Sequence, residues 1–423
     1  MANSVTVTYE GAAISTITSS STVTLDTRGT WLTDDITINA VLSGGDVELS
    51  GITITTPPNK TTYTVGDTFD PTGMVVTATF TSGSETVSGI ISGYTYSPTT
   101  ALTLSDTSIT VSLTFGSTTV TTTQAITVSA IPTVVNDATW AQISEVSQAG
   151  TGDTYWDIGD TKTITLNGTV GTLSLSNLSL NVFILDFNHP INGSTADNNI
   201  IWGGFKTTGG VDVALCDSGY DNSYSNGTKY FNMNHWGSSS SPYNTNYGGW
   251  KGCDLRYDIL GGTKTAPSGY GSTPTTSRVG YDATAATISS PVSNTLMAAL
   301  PSDFRNVLRL HTHYVDNKGN KSNVDANVTS CVDAIFLLSE FEVHGARTYA
   351  NTYEQSHQKQ MSYYAAGNSK IKYKHNATGT AGVWWCSSAY YNSAISFCIV
   401  IPNGTALTDN SRLSRGLAPA FKT

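Results

Sequence analysis

Charge is scarce in this sequence: only 12% of its 423 residues are Asp, Glu, Lys or Arg. Long salt-bridged helices are therefore excluded, and the abundant Ser, Thr, Asn, Gly and Tyr suit twisted sheets and irregular loops. No run of Lys or Arg with interleaved aromatics occurs, and a formal net charge of -10 repels phosphate backbones, so no nucleic-acid partner is expected. No stretch of about 18 apolar residues is present, which argues against membrane insertion by a helix. Met1 is followed by polar residues and then by the alternating Val5, Val7 and Tyr9, so a charged n-region and an apolar h-region are both missing. The expectation is a chain made in a cytosol and kept soluble. Cysteine is also sparse: Cys216, Cys253, Cys331, Cys386 and Cys398 form an odd set without a C-x-x-C pair. That pattern speaks against a disulfide framework or a structural zinc site and for buried free thiols. A Cys386–Cys398 bridge across a hairpin turning near Asn392 stays open as the alternative.

The length predicts two to three domains, each with its own apolar centre. Residues 1–48 read as short alternating runs, with Val5, Val7 and Tyr9, then Val23 and Leu25, then Ile36 and Ile38 pointing one way and Gly11 and Gly29 at the turns. Over residues 49–130 the alternation sharpens. Val76, Ala78 and Phe80 are one inward set and Ile109, Val111, Leu113 and Phe115 another, as in the half-buried strands of a sandwich. Tyr63, Asp67 and Asp70 fall at a turn and read as turn chemistry. Residues 131–139, around Pro132, read as a linker.

From Trp140 onward the pattern mixes strands and short helices. Ile158, Ile164 and Leu166 mark strands around a Gly-Asp turn, and NVFILDFNH predicts a short, fully buried strand in a mixed sheet. Pro301 and Ser302 open a short helix whose Phe304, Val307 and Leu308 share a face. Ser339 and Glu342 form an S-x-x-E capping box that Gly345 can terminate.

Four resemblances attach to these residues. The first forty, with Asp34-Asp35-Ile36, resemble small β-modules at the N-termini of phage tail and baseplate proteins, which implies virion attachment. TTYTVGDTFDPTGMVVTATFTSGS and ALTLSDTSITVSLTFGSTTVTTTQAITV resemble bacterial Ig-like domains of surface proteins and virions, which implies a rigid spacer. Across residues 140–423, YWDIGDTKTITL, FILDFNH, GGWKGCDLRYDIL, LPSDFRNVLR, IFLLSEFEVHG, YYAAG, VWWCSS and GLAPAF resemble an uncharacterised domain of bacterial surface and phage proteins related to the C-type-lectin and sulfatase-modifying fold. The frequent tryptophan-leucine-arginine-serine box of that family stands here as Trp384, Trp385, Cys386, Ser387 and Ser388, without its arginine. The last stretch, from Trp384, is similar to the variable region of retroelement-diversified phage tail-tip receptor-binding proteins. The expected architecture is multi-domain, an all-β N-terminal part (small β-module plus Ig-like β-sandwich) followed by an α+β C-type-lectin-like domain.

The resemblance implies a bacteriophage virion protein of tail tip or fibre, released by lysis, that adheres to a host cell-surface protein or glycan. Its N-terminal module would contact other virion proteins, and phage fibres suggest a homo-oligomer, with a trimer among the options. The alternatives are a structural capsid or tail decoration protein and a bacterial surface adhesin. Candidate ligand-binding residues are Trp385, Ser387, Ser388, Tyr390, Tyr391, Asn392, Asp409, Asn410 and Arg412, since aromatic area and adaptable amides suit a paratope-like surface. Such a stretch also matches ordinary solvated loops. A second candidate is the Tyr- and Gly-rich insert from Asp217 to Trp250, read as structureless, in which Trp236 and Tyr243 could stack on a sugar.

Chemistry is weaker. His311 and His313 project from one strand face and could ligate a metal, but no third ligand sits at a suggestive local spacing, so two ordinary sheet histidines are expected. Asp316, Asn317 and Asn320, interleaved with Lys318 and Lys321, read as a hairpin tip because the closing Glu of an EF-hand loop is missing. Cys386 and Cys398 are too far apart for the reactive pair of the sulfatase-modifying enzymes. A glycan-cleaving site needs two carboxylates across one cleft, whereas Glu340, Glu342 and Asp333 lie on or beside a capped helix. Neither enzymatic activity nor a cofactor is expected.

Overall fold

The computed structural model describes residues 4–9, 12–17 and 37–41 as backbone strands, and residues 48–82, 84–222, 228–234, 245–270 and 278–423. The chain divides into two compact units, Met1–Ile131 and Pro132–Thr423.

In the first unit Ser4–Tyr9 pairs antiparallel with Ala12–Ile17 on one side and Thr37–Val41 on the other. Val23, Leu25 and Ile36 lie outside the described residues. Glu48–Thr56, Val75–Ser82 and Glu85–Ile91 form one antiparallel sheet, and Thr118–Ala125, Ser108–Phe115 and Thr95–Ser97 form a second. Their inward residues make one core that includes Leu49, Ile52, Val76, Ile109 and Val111, with Tyr63 packed into it from the short strand Thr62–Thr64. The alternation thus places Val76, Ala78, Ile109 and Val111 inside, as period-2 side chains require. Phe115, expected inward, is exposed at the last position of its strand, where its ring meets that of Phe80 edge-on. At the turn, Asp67 accepts the Thr64 N–H at 3.0 Å and Asp70 accepts the Thr72 N–H at 2.9 Å. Those two hydrogen bonds from Thr72, the hydroxyl and the backbone N–H, hold Asp70 below the usual carboxylate range.

The second unit is built on a five-stranded sheet in the order Thr161–Val170, Leu173–Phe187, Ile200–Lys206, Pro419–Lys422, Phe336–Leu337. Every pairing in it is antiparallel, where a mixed sheet was expected. The buried run NVFILD is the last part of a fifteen-residue strand. Its serine-rich first part forms a hairpin with Thr161–Val170, and the two halves carry different patterns because only the second is covered on both faces. Of the residues expected as a linker, 132–139 belong to this unit. Lys162 Nζ donates to the carbonyls of Asn136 and Ala138, and Trp156 Nε1 donates to that of Pro132.

Helix Trp140–Ala149 begins with a capping box in which Thr139 and Gln142 satisfy each other, and it ends on the left-handed Gly150. Its Trp140 stacks on Phe304 of helix Ser302–Val307 at 4.2 Å. The Ser339–Glu342 capping box and the left-handed Gly345 bound helix Glu340–His344, as the sequence predicts. Strands His311–Asp316 and Val328–Asp333 form a separate hairpin, and Trp384–Ala389, Ser396–Val400 and Ala406–Asn410 form a three-stranded antiparallel sheet. No helix of the described residues is long and apolar enough to cross a membrane.

Candidate functional site

The Trp384–Ala389 strand is buried at all six positions, so the expectation that Trp385, Ser387 and Ser388 offer a contact surface is corrected. The strand has protein on both faces. Trp385 Nε1 donates to the Phe231 carbonyl at 2.8 Å, the Ser387 N–H bonds the Leu338 carbonyl at 2.9 Å, and the Ser388 hydroxyl donates to Glu354 at 2.6 Å. A run buried on both sides has no alternation to reveal which way its residues point.

The remaining C-terminal candidates gather at one end of the three-stranded sheet. Tyr390, Tyr391 and Asn392 occupy the turn that follows Ala389, closed by the Tyr390 N–H on the Ser396 carbonyl at 3.0 Å. Ser396 lies opposite Asn410, and the Ser411 N–H reaches the Ile395 carbonyl at 2.9 Å, which sets Asp409, Asn410 and Arg412 beside that turn. Tyr390 and Tyr391 are half-buried with rings at 87° and centroids 5.6 Å apart, and Asn392 and Ile395 are exposed. Asp409 is committed to an ion pair with Arg415, whose guanidinium also holds Asp221, so it shapes the rim more than it offers a free carboxylate. The Arg412 carbonyl accepts the Asn232 amide.

Two contributors to this end carry no signal in the sequence. Segment 347–350 lies alongside the turn: Ala350 bridges to Tyr390, and the Tyr391 N–H bonds the Tyr349 carbonyl at 3.1 Å. Tyr349 meets Tyr390 edge-on at 5.6 Å, and the Arg347 guanidinium sits 5.7 Å from the Tyr391 ring centre. The result is a continuous patch of three tyrosines and one arginine, the residue types that dominate contact energy at interfaces. The second contributor is Asn246, fully buried, which donates to the carbonyls of Ser393 and Ser396 at 2.8 and 2.9 Å and accepts the Asn320 N–H at 2.9 Å. It staples the aromatic turn to the hairpin tip at residues 317–320. The insert that contains Asn246 is thus not wholly structureless: Phe231, Asn232, Met233, Asn234 and Asn246 are core residues. Trp236 and Tyr243 lie outside the described residues.

Below the patch lies a layer of buried acids. Glu340 accepts the N–H groups of Thr348, Tyr349 and Ala350 at 2.9, 2.9 and 2.6 Å, fixing the segment that carries Tyr349. Ser388 accepts the Glu340 N–H and donates to Glu354, which also accepts the Asp316 N–H at 2.9 Å. Burial, with the Asp316 and Glu340 carboxyls nearby, pushes Glu354 up to about 8. Glu354 is therefore a neutral acid at neutral pH. Glu340 and Glu342 are both buried and bonded to backbone N–H groups, an arrangement that anchors a loop and caps a helix.

A third ligand type for His313 does exist, across the hairpin. His313 faces Cys331 and His311 faces Asp333 in the register, and one ligand atom each of His313, Cys331 and Asp333 lies within 4.8 Å of the other two. Asp333 ends a strand, not a helix as expected, and is fully buried. Its two oxygens already accept from Arg256 Nε at 2.6 Å, Trp250 Nε1 at 2.8 Å and His313 Nε2 at 2.9 Å. Burial pushes Asp333 upward, but the Arg256 charge and the His313 and Trp250 bonds hold it below the usual carboxylate range. Burial drives the Cys331 thiol well above its ordinary value and His311 well below its own, so both stay neutral. With a guanidinium already neutralising the carboxylate, this set suits a proton-bearing structural network better than a cation.

All five cysteines are free and buried. The Cys386 and Cys398 thiols are raised well above the ordinary range by burial and by the Glu340 carboxylate beside them, and the strand register shifts between Trp385 and Ala389 where a regular ladder would have set the two opposite.

Residues 56–137 match the family model of the bacterial Ig-like domain (group 3), and residues 229–422 match that of a domain of unknown function (DUF6273). No curated protein and no solved structure matches the chain. An Ig-like domain thus precedes a DUF6273 domain in this protein, and the aromatic patch is built entirely from residues inside the DUF6273 match.

Proposed function

We propose that this protein is a non-enzymatic adhesin of a bacteriophage particle, in which the Ig-like domain spaces a C-terminal C-type-lectin-like domain away from the virion. Tyr349, Tyr390, Tyr391, Arg347 and Asn392 then contact a host cell-surface protein or glycan. The observation that carries this reading is the convergence of two sequence-distant segments, 347–350 and 390–396, into one aromatic surface on a rigid buried base. Rigid tyrosines supply contact area at low entropic cost, and pre-organisation of their backbone raises affinity without adding contacts. Several copies on one particle would convert weak single contacts into avidity.

The test is binding of the purified full chain to a panel of bacterial cells and to printed bacterial surface polysaccharides. The reading expects binding that falls at least about tenfold in the Tyr390→Ala/Tyr391→Ala variant, as for an interface anchor. Binding that is equal in the variant, or absent from both panels, overturns it. Particles lacking residues 140–423 address the alternative role of tail or capsid decoration: intact particles that no longer adsorb favour adhesion, and loss of assembly favours decoration.

A further inference from the structure

A cleft of about 480 Å³ opens in the C-terminal unit between the start of helix Trp140–Ala149, strand Thr161–Val170 and helix Ser302–Val307. Pockets of roughly 300–1,000 Å³ are the usual size for small ligands. Its apolar lining is Trp140, Ala141 and Val307. Trp140 is immobilised by stacking on Phe304 at 4.2 Å and by Trp202, edge-on at 5.4 Å, so this wall is formed before any ligand arrives.

The polar groups are arranged on both sides of a charge balance. Lys162 lines the cleft although the residue is buried, and its ammonium donates to the carbonyls of Asn136 and Ala138 at 3.0 and 2.6 Å. An ammonium has three N–H groups, so one remains beyond those two acceptors, with the Trp140 ring centre 5.2 Å from the nitrogen. Opposite, Asp303 uses Oδ1 to accept the Phe304 N–H at 2.8 Å and keeps its other oxygen. Asn306 presents an exposed amide. The Thr139 and Thr163 hydroxyls donate to Gln142 Oε1 and Asn181 Oδ1, which leaves Thr163 lone pairs to accept from a ligand.

A fitting ligand must therefore donate and accept at several points, carry no net charge and present a C–H face. An anion would meet Asp303, and an aliphatic chain would leave the buried lysine N–H and the amide unpaired, which is costly. We infer that this cleft binds a neutral pyranose ring, at a site separate from the Tyr390 surface and independent of it. Hydroxyls accept from Lys162 and donate to Asp303, Asn306 bridges neighbouring hydroxyls, and the ring C–H groups lie against Trp140 and Val307.

Saturation-transfer NMR and calorimetry on the full chain with D-glucose, D-galactose and N-acetyl-D-glucosamine test this. Millimolar binding of at least one sugar is expected, weakened about fivefold by Asn306→Ala, which removes hydrogen bonds from an exposed side chain, and abolished by Ala141→Trp, which fills the cleft from an exposed helix position. Both variants should unfold at the native temperature, and Tyr390→Ala/Tyr391→Ala should bind the sugar as the native chain does. The inference is overturned if none of the three sugars shows transfer, if binding survives Ala141→Trp, or if the tyrosine variant loses it.

Discussion

The side-chain amide of Asn246 donates to the carbonyl of Ser393 at 2.8 Å across 147 residues of sequence. Through that bond and its partner on Ser396, one buried amide holds the turn that displays Tyr390 and Tyr391. Asn246→Asp keeps the shape and replaces two donors by an oxygen facing two carbonyls. It should destabilise the C-terminal unit by about 1–3 kcal/mol in urea titrations and weaken adhesion although residue 246 touches no ligand. An unchanged unfolding midpoint would rule out the staple.

The two kinds of candidate residue should separate by stability. Trp385 is fully buried, and Trp385→Ala should cost about 3–5 kcal/mol. Tyr391 is half-buried at the patch, and Tyr391→Ala should cost about 1 kcal/mol or less while lowering adhesion. Chemical denaturation of both variants checks the contrast, and comparable losses would contradict the placement of Trp385 inside.

Glu354 links folding to pH. Its pKa is about 8 folded, raised by burial, against an ordinary 4.5, so over that interval the unfolded chain loses a proton that the folded chain keeps. Stability conferred by the neutral acid is fully present below 4.5 and is lost as pH rises toward 8, by up to about 1.4 kcal/mol per pH unit. His311, His344 and His375, all lowered by burial, act in the opposite sense as their unfolded imidazoles lose protons around pH 6.5, so Glu354 is read at pH 7 to 8 from the difference between the native protein and Glu354→Gln. In that window the native protein should lose stability relative to Glu354→Gln as pH rises, measured by thermal unfolding at constant ionic strength. Equal pH slopes in the two proteins would exclude the assignment.

Asp333 and Arg256 form a fully buried pair with side chains 2.6 Å apart. Asp333→Asn leaves the guanidinium without a counter-charge and should cost about 3–5 kcal/mol. Added zinc should not raise the unfolding temperature of the native protein, because the carboxylate is already occupied. Zinc-dependent stabilisation that is lost in Cys331→Ser would reverse the reading of this network.

Thiol reactivity gives the simplest check on the C-terminal fold. Five free cysteines, all buried and with the Cys216 and Cys253 thiols pushed up to about 12 by burial, should resist a thiol reagent in the native protein and all react in denaturant. Three reactive thiols in denaturant would instead reveal a Cys386–Cys398 disulfide.

Period-2 alternation at Val76, Ala78, Ile109 and Val111, the Ser339–Glu342 capping box with Gly345, and the turn aspartates Asp67 and Asp70 were all legible in the sequence, because each depends on neighbours within a few residues. The tyrosine pair at 390–391 was legible as surface-forming material for the same local reason. What tertiary structure alone decided is which aromatics reach the surface and what holds them there. Trp385 and Ser388 went inside because Phe231, Leu338 and Glu354 cover both faces of their strand, and Tyr349, Asn246 and Glu340 found partners tens to hundreds of residues away. Burial on two faces erases periodicity, and a hydrogen bond across such a separation leaves no local spacing to read, so only the folded chain could bring them together.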